Sequence, residues 1–160
     1  MIKASVLFVC MANICRSPAA EGVLKHMAKN YADIELKVDS CGVGDWNIGA
    51  APDSRIQESA KARGIYLTGK AKQFHPFYFE EFDYILAADK DVRAILYQYA
   101  KTTEQKAKIG FITDYSSAFK GEAVPDPYYQ AGGAFERVLD IIEDSCAGLL
   151  DHIRKQADLA

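Results

Sequence analysis

A cysteine and an arginine near the start of the chain stand at a spacing suited to the chemistry of a phosphate group. Cys10 ends an apolar run, and Arg16 follows after five intervening residues. A loop of that length can circle one phosphate and bring the planar guanidinium back over it, where it can hold two oxygens. Backbone N–H groups of the loop and the N-terminus of a following helix add partial positive charge, which also favours a thiolate. We interpret Cys10 as a nucleophile at the floor of a phosphate cradle; the alternative is a buried structural cysteine.

The residues around this loop suit hydrolysis through a thiophosphate intermediate, in which cysteine attack on phosphorus divides the reaction into two steps. Arg16 would bind the equatorial oxygens and stabilise their charge in the transition state. Ser17 would either hydrogen-bond the Cys10 sulfur and help it leave in the second step, or cap the following helix. Asn13 tolerates a left-handed backbone, so we expect a conformational role for it, and Ser40 is a candidate partner for its side chain.

A carboxylate far along the chain is the candidate for the acid that such a reaction needs. Asp126 lies between two prolines, which stiffen the loop around it. Protonation of the leaving group helps because a phenolate leaves poorly. The alternative for Asp126 is a turn aspartate, since Asp-Pro is a common turn dipeptide. Three aromatic residues would either wall a deep slot for an aromatic ring or pack a long loop onto the core: Trp46, Tyr128 and Tyr129.

Strands that alternate with helices position these residues. Short apolar or alternating runs predict strands at residues 4–9, 34–38, 82–88 and 108–112. Helices are expected at 18 to about 29, 52 to about 63, 91 to about 100 and 134 to about 155. Segments 41–51 and 113–133 are expected to be loops, and 65–80 show no assignable pattern.

This alternation predicts an α/β fold of Rossmann-like, three-layer type, with a four-stranded parallel sheet and helices on both faces. Ligands of such folds bind at the carboxyl ends of the strands. Cys10, Ser40, Asp89 and the loop that carries Asp126 each follow a predicted strand. We therefore expect them to share one edge of the sheet.

The composition limits the classes of protein that need to be considered. With 160 residues, 49% of them hydrophobic, the chain predicts one domain over residues 1–160. The net charge of -3 gives no bias toward nucleic acid. No run is apolar enough to span a bilayer and the start lacks a signal-peptide layout, so we expect no membrane association and a cytoplasmic location. The four cysteines suit neither a disulfide framework nor a zinc site, so no metal or other cofactor is expected.

Two motifs together resemble the low-molecular-weight protein tyrosine phosphatase family: Cys10-Met-Ala-Asn-Ile-Cys-Arg-Ser-Pro18 and Asp126-Pro-Tyr-Tyr129. The resemblance extends over nearly the whole chain. It implies metal-free hydrolysis of phosphotyrosine in protein substrates and of aryl phosphates, with Cys10 as nucleophile, Arg16 as phosphate ligand and Asp126 as general acid. It also implies inhibition by phosphate or other oxyanions and a monomeric or weakly dimeric protein.

The same resemblance implies roles for further residues. Asn13, Ser17 and Ser40 would order the loop and the thiolate. Cys15 would form a reversible disulfide with Cys10 under oxidation. The residues expected to surround the substrate are Met11, Ala12, Asn13, Ile14, Cys15, Ser17, Trp46, Tyr128 and Tyr129.

Two positions depart from the family pattern, which usually has Leu-Gly after the nucleophile where this chain has Met11 and Ala12. If position 12 required a left-handed backbone, alanine there would cost roughly 1 kcal/mol. If its φ is negative, alanine is harmless. Met11 would change the lip of the pocket slightly.

Two other classes of protein place a cysteine on a similar fold. An arsenate reductase shares the loop but needs two further cysteines close together in the third quarter of the chain, and residues 65–110 contain none. A phosphocysteine carrier of the sugar-transport type must keep its thiophosphate, so it lacks a hydrolytic aspartate and usually the arginine. Arg16 and Asp126 therefore favour a phosphatase.

Overall fold

The computed structural model describes residues 1–130 and 132–159. Four strands are present: β1 (Ile2–Cys10), β2 (Ile34–Gly42), β3 (Tyr84–Ala87) and β4 (Ile109–Phe111). The helices are α1 (Arg16–Ala28), α2 (Ser54–Lys61), α3 (Tyr78–Glu81), α4 (Lys90–Tyr99), α5 (Thr103–Ala107) and α6 (Ala134–Leu159), with a 3-10 helix at Ile112–Tyr115. Within these ranges, no helix combines the length and the apolar character needed to cross a bilayer.

The strands form one parallel sheet in the order β2-β1-β3-β4. Alternate residues of β1 face opposite sides, as the pleat requires. Val6 and Phe8 pack with α1 and α6, whereas Leu7 and Val9 pack with α3 and α4. The second half of β1, from Val6 to Cys10, is covered on both faces and is apolar without interruption, as buried parallel strands usually are. The predicted three-layer α/β fold is confirmed.

The structure corrects the predicted element boundaries at two points that matter for the site. Helix α1 begins at Arg16, so Ser17 lies inside its first turn and is not the cap. Strand β2 continues to Gly42, past the alternating run 34–38 and its predicted end at Asp39-Ser40, because it pairs with β1 along its full length. The segment without a predicted pattern, 65–80, is mostly irregular and ends in the short helix α3.

The carboxyl ends of the strands bring distant residues to one edge of the sheet, as expected. Cys10 ends β1, and its carbonyl accepts a hydrogen bond from the Val43 N–H at 3.0 Å, just beyond β2. The carbonyl of Ala88, just beyond β3, accepts from the N–H of Val124 at 2.8 Å. The loop that carries Asp126 is thereby pinned beside the ends of β1 and β3.

Candidate active site

Residues 11–15, between β1 and α1, form a tight loop, which we call the phosphate loop. Cys10 at its start is 3% exposed, and its Sγ lies 2.9 Å from Ser17 Oγ in a hydrogen bond. The Ser17 hydroxyl also lies 3.3 Å from the carbonyl of Cys41. The N-cap position of α1 is Cys15, which makes no side-chain cap bond. Of the two roles considered for Ser17, contact with the thiol is therefore the one present.

Asn13 sets the shape of the loop. Its φ is 57°, and it is the one non-glycine residue with positive φ in the described part of the chain. The side-chain amide donates to Ser17 Oγ at 2.8 Å and Ser40 Oγ at 3.0 Å. Its oxygen accepts from the backbone N–H of Lys72 at 3.0 Å. The expected conformational role of Asn13 and its contact with Ser40 are both present.

Gly42 allows the loop to lie directly on the end of β2. A Cβ added at this glycine would stand 2.8 Å from the carbonyl oxygen of Met11 and 3.0 Å from the Asn13 nitrogen, both of them backbone atoms. Only glycine fits such a close approach. Ala12 is not among the residues with positive φ, so alanine at this position carries no left-handed strain.

The Arg16 guanidinium is buried and held on one side. Nη1 donates to Asp89 Oδ2 at 2.7 Å and to the carbonyl of Val124 at 3.0 Å, and Nη2 lies 4.0 Å from Asp126 Oδ2. Burial alone would lower the pKa of Arg16, but the negative charges of Cys10 and Asp89 outweigh it and raise that pKa. The group therefore keeps its positive charge although it is only 4% exposed.

A cavity of about 290 Å³ opens above the phosphate loop. The predicted residues that line it are Cys10, Met11, Ala12, Ile14, Cys15, Arg16, Trp46, Asp126, Tyr128 and Tyr129. The side chains of Asn13, Ser17 and Ser40 do not line it, because they bond to one another behind the loop. Asp126 is half-exposed at the mouth, where its Oδ1 accepts from the Tyr128 N–H at 3.1 Å.

Several residues of the site were not predicted to take part. Asn47 lines the cavity beside Trp46. Behind the loop, Glu21 Oε1 accepts from the Ser40 hydroxyl at 2.6 Å. Asp89 was expected at this edge of the sheet, but its bond to Arg16 was not. The position of Asp89 directly after a strand was the only feature of the sequence that indicated a place in the site. No sequence pattern indicated Glu21 or Asn47.

The other three cysteines differ from Cys10 in their surroundings. Burial raises the pKa of the Cys15 thiol, and the charge of Cys10 raises it further. Burial likewise raises the pKa of Cys41 and of Cys146. All four cysteines are free thiols. Across residues 1–130 and 132–159, no cluster of three or more His, Cys, Asp or Glu side chains is arranged to hold a metal ion.

Known proteins resemble the chain along nearly its full length. Residues 5–159 match the model of the family described as low molecular weight phosphotyrosine protein phosphatase. The low molecular weight protein-tyrosine-phosphatase YfkJ of Bacillus subtilis is 38% identical over 160 residues, which cover 97% of this chain and 99% of the relative.

Solved structures of phosphatases also resemble this chain in their fold. A protein tyrosine phosphatase from Entamoeba histolytica with Hepes in its active site superposes with a TM-score of 0.90 at 35% identity, covering 96% of this chain and 99% of that one. The Drosophila arginine phosphatase superposes with a TM-score of 0.85 at 34% identity, covering 92% and 96%. With a family match over residues 5–159 and relatives of this identity and coverage, the chain belongs to the low molecular weight phosphotyrosine protein phosphatase family.

Proposed function

We propose that this protein hydrolyses phosphotyrosine in phosphoprotein substrates, and other aryl phosphates, with Cys10 as the nucleophile. The observation that supports this most directly is that a thiol, a buried guanidinium and a half-exposed carboxylate line one cavity: Cys10, Arg16 and Asp126. Cys10 and Arg16 lie at the two ends of one loop, whereas Asp126 is more than a hundred residues further along the chain, and each supplies a different part of phosphoryl transfer. Phosphate and other oxyanions that fill the cradle would inhibit competitively.

In the first step, the Cys10 thiolate attacks phosphorus and the bond from phosphorus to the phenolic oxygen breaks. The Asp126 carboxyl group gives its proton to that oxygen, so that tyrosine leaves as the neutral phenol. Arg16 and the backbone N–H groups of residues 11–15 bind the three equatorial oxygens and stabilise their charge. Phosphocysteine and an ionised Asp126 remain.

In the second step, water attacks the phosphocysteine and the sulfur–phosphorus bond breaks. Asp126 takes a proton from the water, and phosphate leaves. The Ser17 hydroxyl, 2.9 Å from the sulfur, stabilises the departing thiolate. Asn13 and Ser40 act from behind the loop by keeping its shape and the orientation of Ser17.

The residues that line the cavity favour a substrate with an aromatic leaving group. Trp46, Tyr128 and Tyr129 rise around the mouth, and Met11 and Ile14 add apolar surface. Aromatic side chains of this kind pack against a phenyl ring, whereas a serine phosphate would not reach them while its phosphorus lay on the loop. A cytoplasmic location belongs to the same proposal, because a reducing compartment keeps the free thiols of this chain reduced.

The test is turnover of synthetic phosphopeptides in EDTA, with Cys10→Ser as the blank. We expect release of phosphate from phosphotyrosine peptides, little from phosphoserine peptides, and none with the variant. A phosphoarginine peptide is included because the Drosophila relative is named an arginine phosphatase. Strict dependence on a divalent ion, or preference for phosphoserine or phosphoarginine, would overturn the proposal. Consumption of arsenate with a thioredoxin supply would instead support the reductase alternative.

A further inference from the structure

Arg55, at the start of α2, connects two parts of the active site without lining the cavity itself. Its Nε and Nη2 donate to the two carboxylate oxygens of Asp53 at 3.1 and 2.8 Å, in a bidentate pair. Its Nη1 donates to the carbonyl of Tyr128 at 3.0 Å. The guanidinium also lies 5.1 Å from the ring centre of Tyr128 and 4.8 Å from that of Phe135. Three residues, Asp53, Tyr128 and Phe135, therefore hold it in place.

Both ends of this connection reach groups assigned to the reaction. At one end, the backbone N–H of Asp53 donates to the carbonyl of Ile14 in the phosphate loop at 2.7 Å. At the other, the N–H of Tyr128 donates to Asp126 Oδ1 at 3.1 Å. A continuous series of hydrogen bonds thus runs from the phosphate loop through Asp53, Arg55 and Tyr128 to the carboxylate of Asp126.

This connection matters more for geometry than for stability. The Arg55 side chain is 46% exposed, and ion pairs that exposed add little to the free energy of unfolding. A planar guanidinium held on two sides nevertheless fixes positions closely, and a misplacement of about 1 Å at a catalytic group can cost 10²-fold in rate. Asp126 is half-exposed and lies in an irregular loop, so its position depends on such contacts.

We propose that Arg55 is a positioning residue that sets where the Asp126 carboxylate stands above the phosphate loop. This rests on the proposed function, in which Asp126 protonates the leaving group. Arg55 touches neither the substrate nor the reacting atoms. Its effect must therefore appear only in the step that needs the Asp126 proton, and must grow as the leaving group becomes more basic.

The test measures kcat/KM, which reports the first step, for phenyl, 4-nitrophenyl and 2,4-dinitrophenyl phosphate. Arg55→Met keeps the length of the side chain between the two rings but removes its hydrogen bonds. We expect it to lower kcat/KM by about 10-fold for phenyl phosphate and less than about 2-fold for the dinitrophenyl ester, which needs little protonation. Arg55→Lys should recover part of the loss. The inhibition constant of inorganic phosphate, which reports the cradle alone, should not change.

Arg63 provides a matched control. It also joins the α2 region to α6, through ion pairs with Glu136 at 2.9 Å and Asp140 at 3.0 Å, but none of its hydrogen bonds and ion pairs within the described residues reaches the loop that carries Asp126. Arg63→Met should leave the leaving-group dependence unchanged, even if it lowers the unfolding temperature. An equal loss of kcat/KM for all three esters with Arg55→Met would overturn the proposal. Such a loss would mean that the variant only alters the packing of Tyr128, which affects the binding of all three aromatic esters equally.

A double variant separates positioning from a general effect on the loop. If Arg55 acts through Asp126, then Arg55→Met adds nothing for phenyl phosphate once Asp126→Ala is present. A full additional 10-fold loss in the double variant would contradict this. Failure of the wild-type protein to hydrolyse even the dinitrophenyl ester would instead overturn the proposed function, so the two failures are distinguishable.

Discussion

Arg16 and Asp89 are 73 residues apart in sequence, yet Arg16 Nη1 donates to Asp89 Oδ2 at 2.7 Å. The other oxygen of the same carboxylate accepts from the N–H of Val92 at 2.9 Å and thereby caps α4. A single aspartate therefore caps a helix and also holds the guanidinium that lines the cavity. The two roles can be separated by substitution.

Asp89→Asn keeps an oxygen for the cap but removes the charge beside Arg16, whereas Asp89→Ala removes both. We expect each variant to lower kcat/KM about 10-fold or more, because the buried guanidinium loses its partner and its fixed position. Asp89→Ala should lose about 1 kcal/mol of additional unfolding free energy from the cap. Both quantities are measured by steady-state kinetics and urea denaturation.

Thr102 is the matched cap for this comparison, since its hydroxyl accepts from the Gln105 N–H at 3.1 Å at the start of α5, away from the site. Thr102→Ala should cost a similar cap energy and leave kcat/KM intact. Phosphate should stabilise Asp89→Asn more than the wild type, because the anion replaces the negative charge that Asp89 places beside Arg16. Unchanged kcat/KM in Asp89→Asn would mean that Asp89 only caps α4 and that its bond to Arg16 does not affect catalysis.

The backbone at Asn13 gives a second prediction. At a φ of 57°, alanine is strained by about 1–2 kcal/mol and glycine is not, although both remove the side-chain hydrogen bonds. Asn13→Gly should therefore be at least as stable as Asn13→Ala in urea denaturation. Ala12→Gly, at a residue without positive φ, should be destabilising by about 0.4–1 kcal/mol through the unfolded chain. If glycine were less stable than alanine at position 13 as well as at position 12, the backbone of Asn13 would carry no left-handed strain.

Sequence patterns predicted the sheet because β1 and β3 contain buried apolar runs and β2 begins with an alternating run. They placed Cys10, Ser40, Asp89 and Asp126 at one edge through a topological rule that needs no side-chain detail. The end of β2 was wrong, since Ser40 and Cys41 interrupt the expected pattern and only pairing with β1 reveals the strand.

Residues 70–74 show why the remainder of the site was not predictable. The N–H of Ala71 donates to Ala50 O, the Lys72 N–H to Asn13 Oδ1, and the Phe74 N–H to Gly42 O. These bonds join segments far apart in sequence, so no local periodicity encodes them. The choice of Ser17 between capping a helix and contacting the thiol likewise depended on where the backbone of α1 begins.

The acid role proposed for Asp126 leads to a third prediction. Asp126→Ala should lower kcat/KM for phosphotyrosine or phenyl phosphate by about 10²–10⁴-fold, the range for general acid catalysis. The loss should be much smaller for 2,4-dinitrophenyl phosphate. Asp45→Ala, at an exposed residue next to Trp46, removes a similar charge and should change kcat/KM little. Equal losses on the two esters would remove Asp126 from the acid role.

Selective alkylation tests the assignment of the nucleophile. Burial raises the pKa of Cys15, Cys41 and Cys146, so at pH 7 these three are protonated thiols, which iodoacetamide alkylates slowly. We therefore expect iodoacetamide to add one group per chain, at Cys10, and phosphate to slow the addition. Mass spectrometry of the intact protein and of its peptides measures both. Modification of Cys15 in preference to Cys10 would contradict the assignment.

Oxidation tests the expected role of Cys15, which lines the cavity beside Cys10. Mild peroxide converts the Cys10 thiolate to a sulfenic acid; attack by the Cys15 sulfur then forms the disulfide and releases water. Dithiothreitol should restore activity to the oxidised wild type. Cys15→Ser should recover less after the same exposure, because unprotected Cys10 proceeds to the sulfinic acid. Cys146→Ser, buried between α1 and α6, is the control and should recover as the wild type does. Equal recovery in all three proteins would show that Cys15 gives no protection.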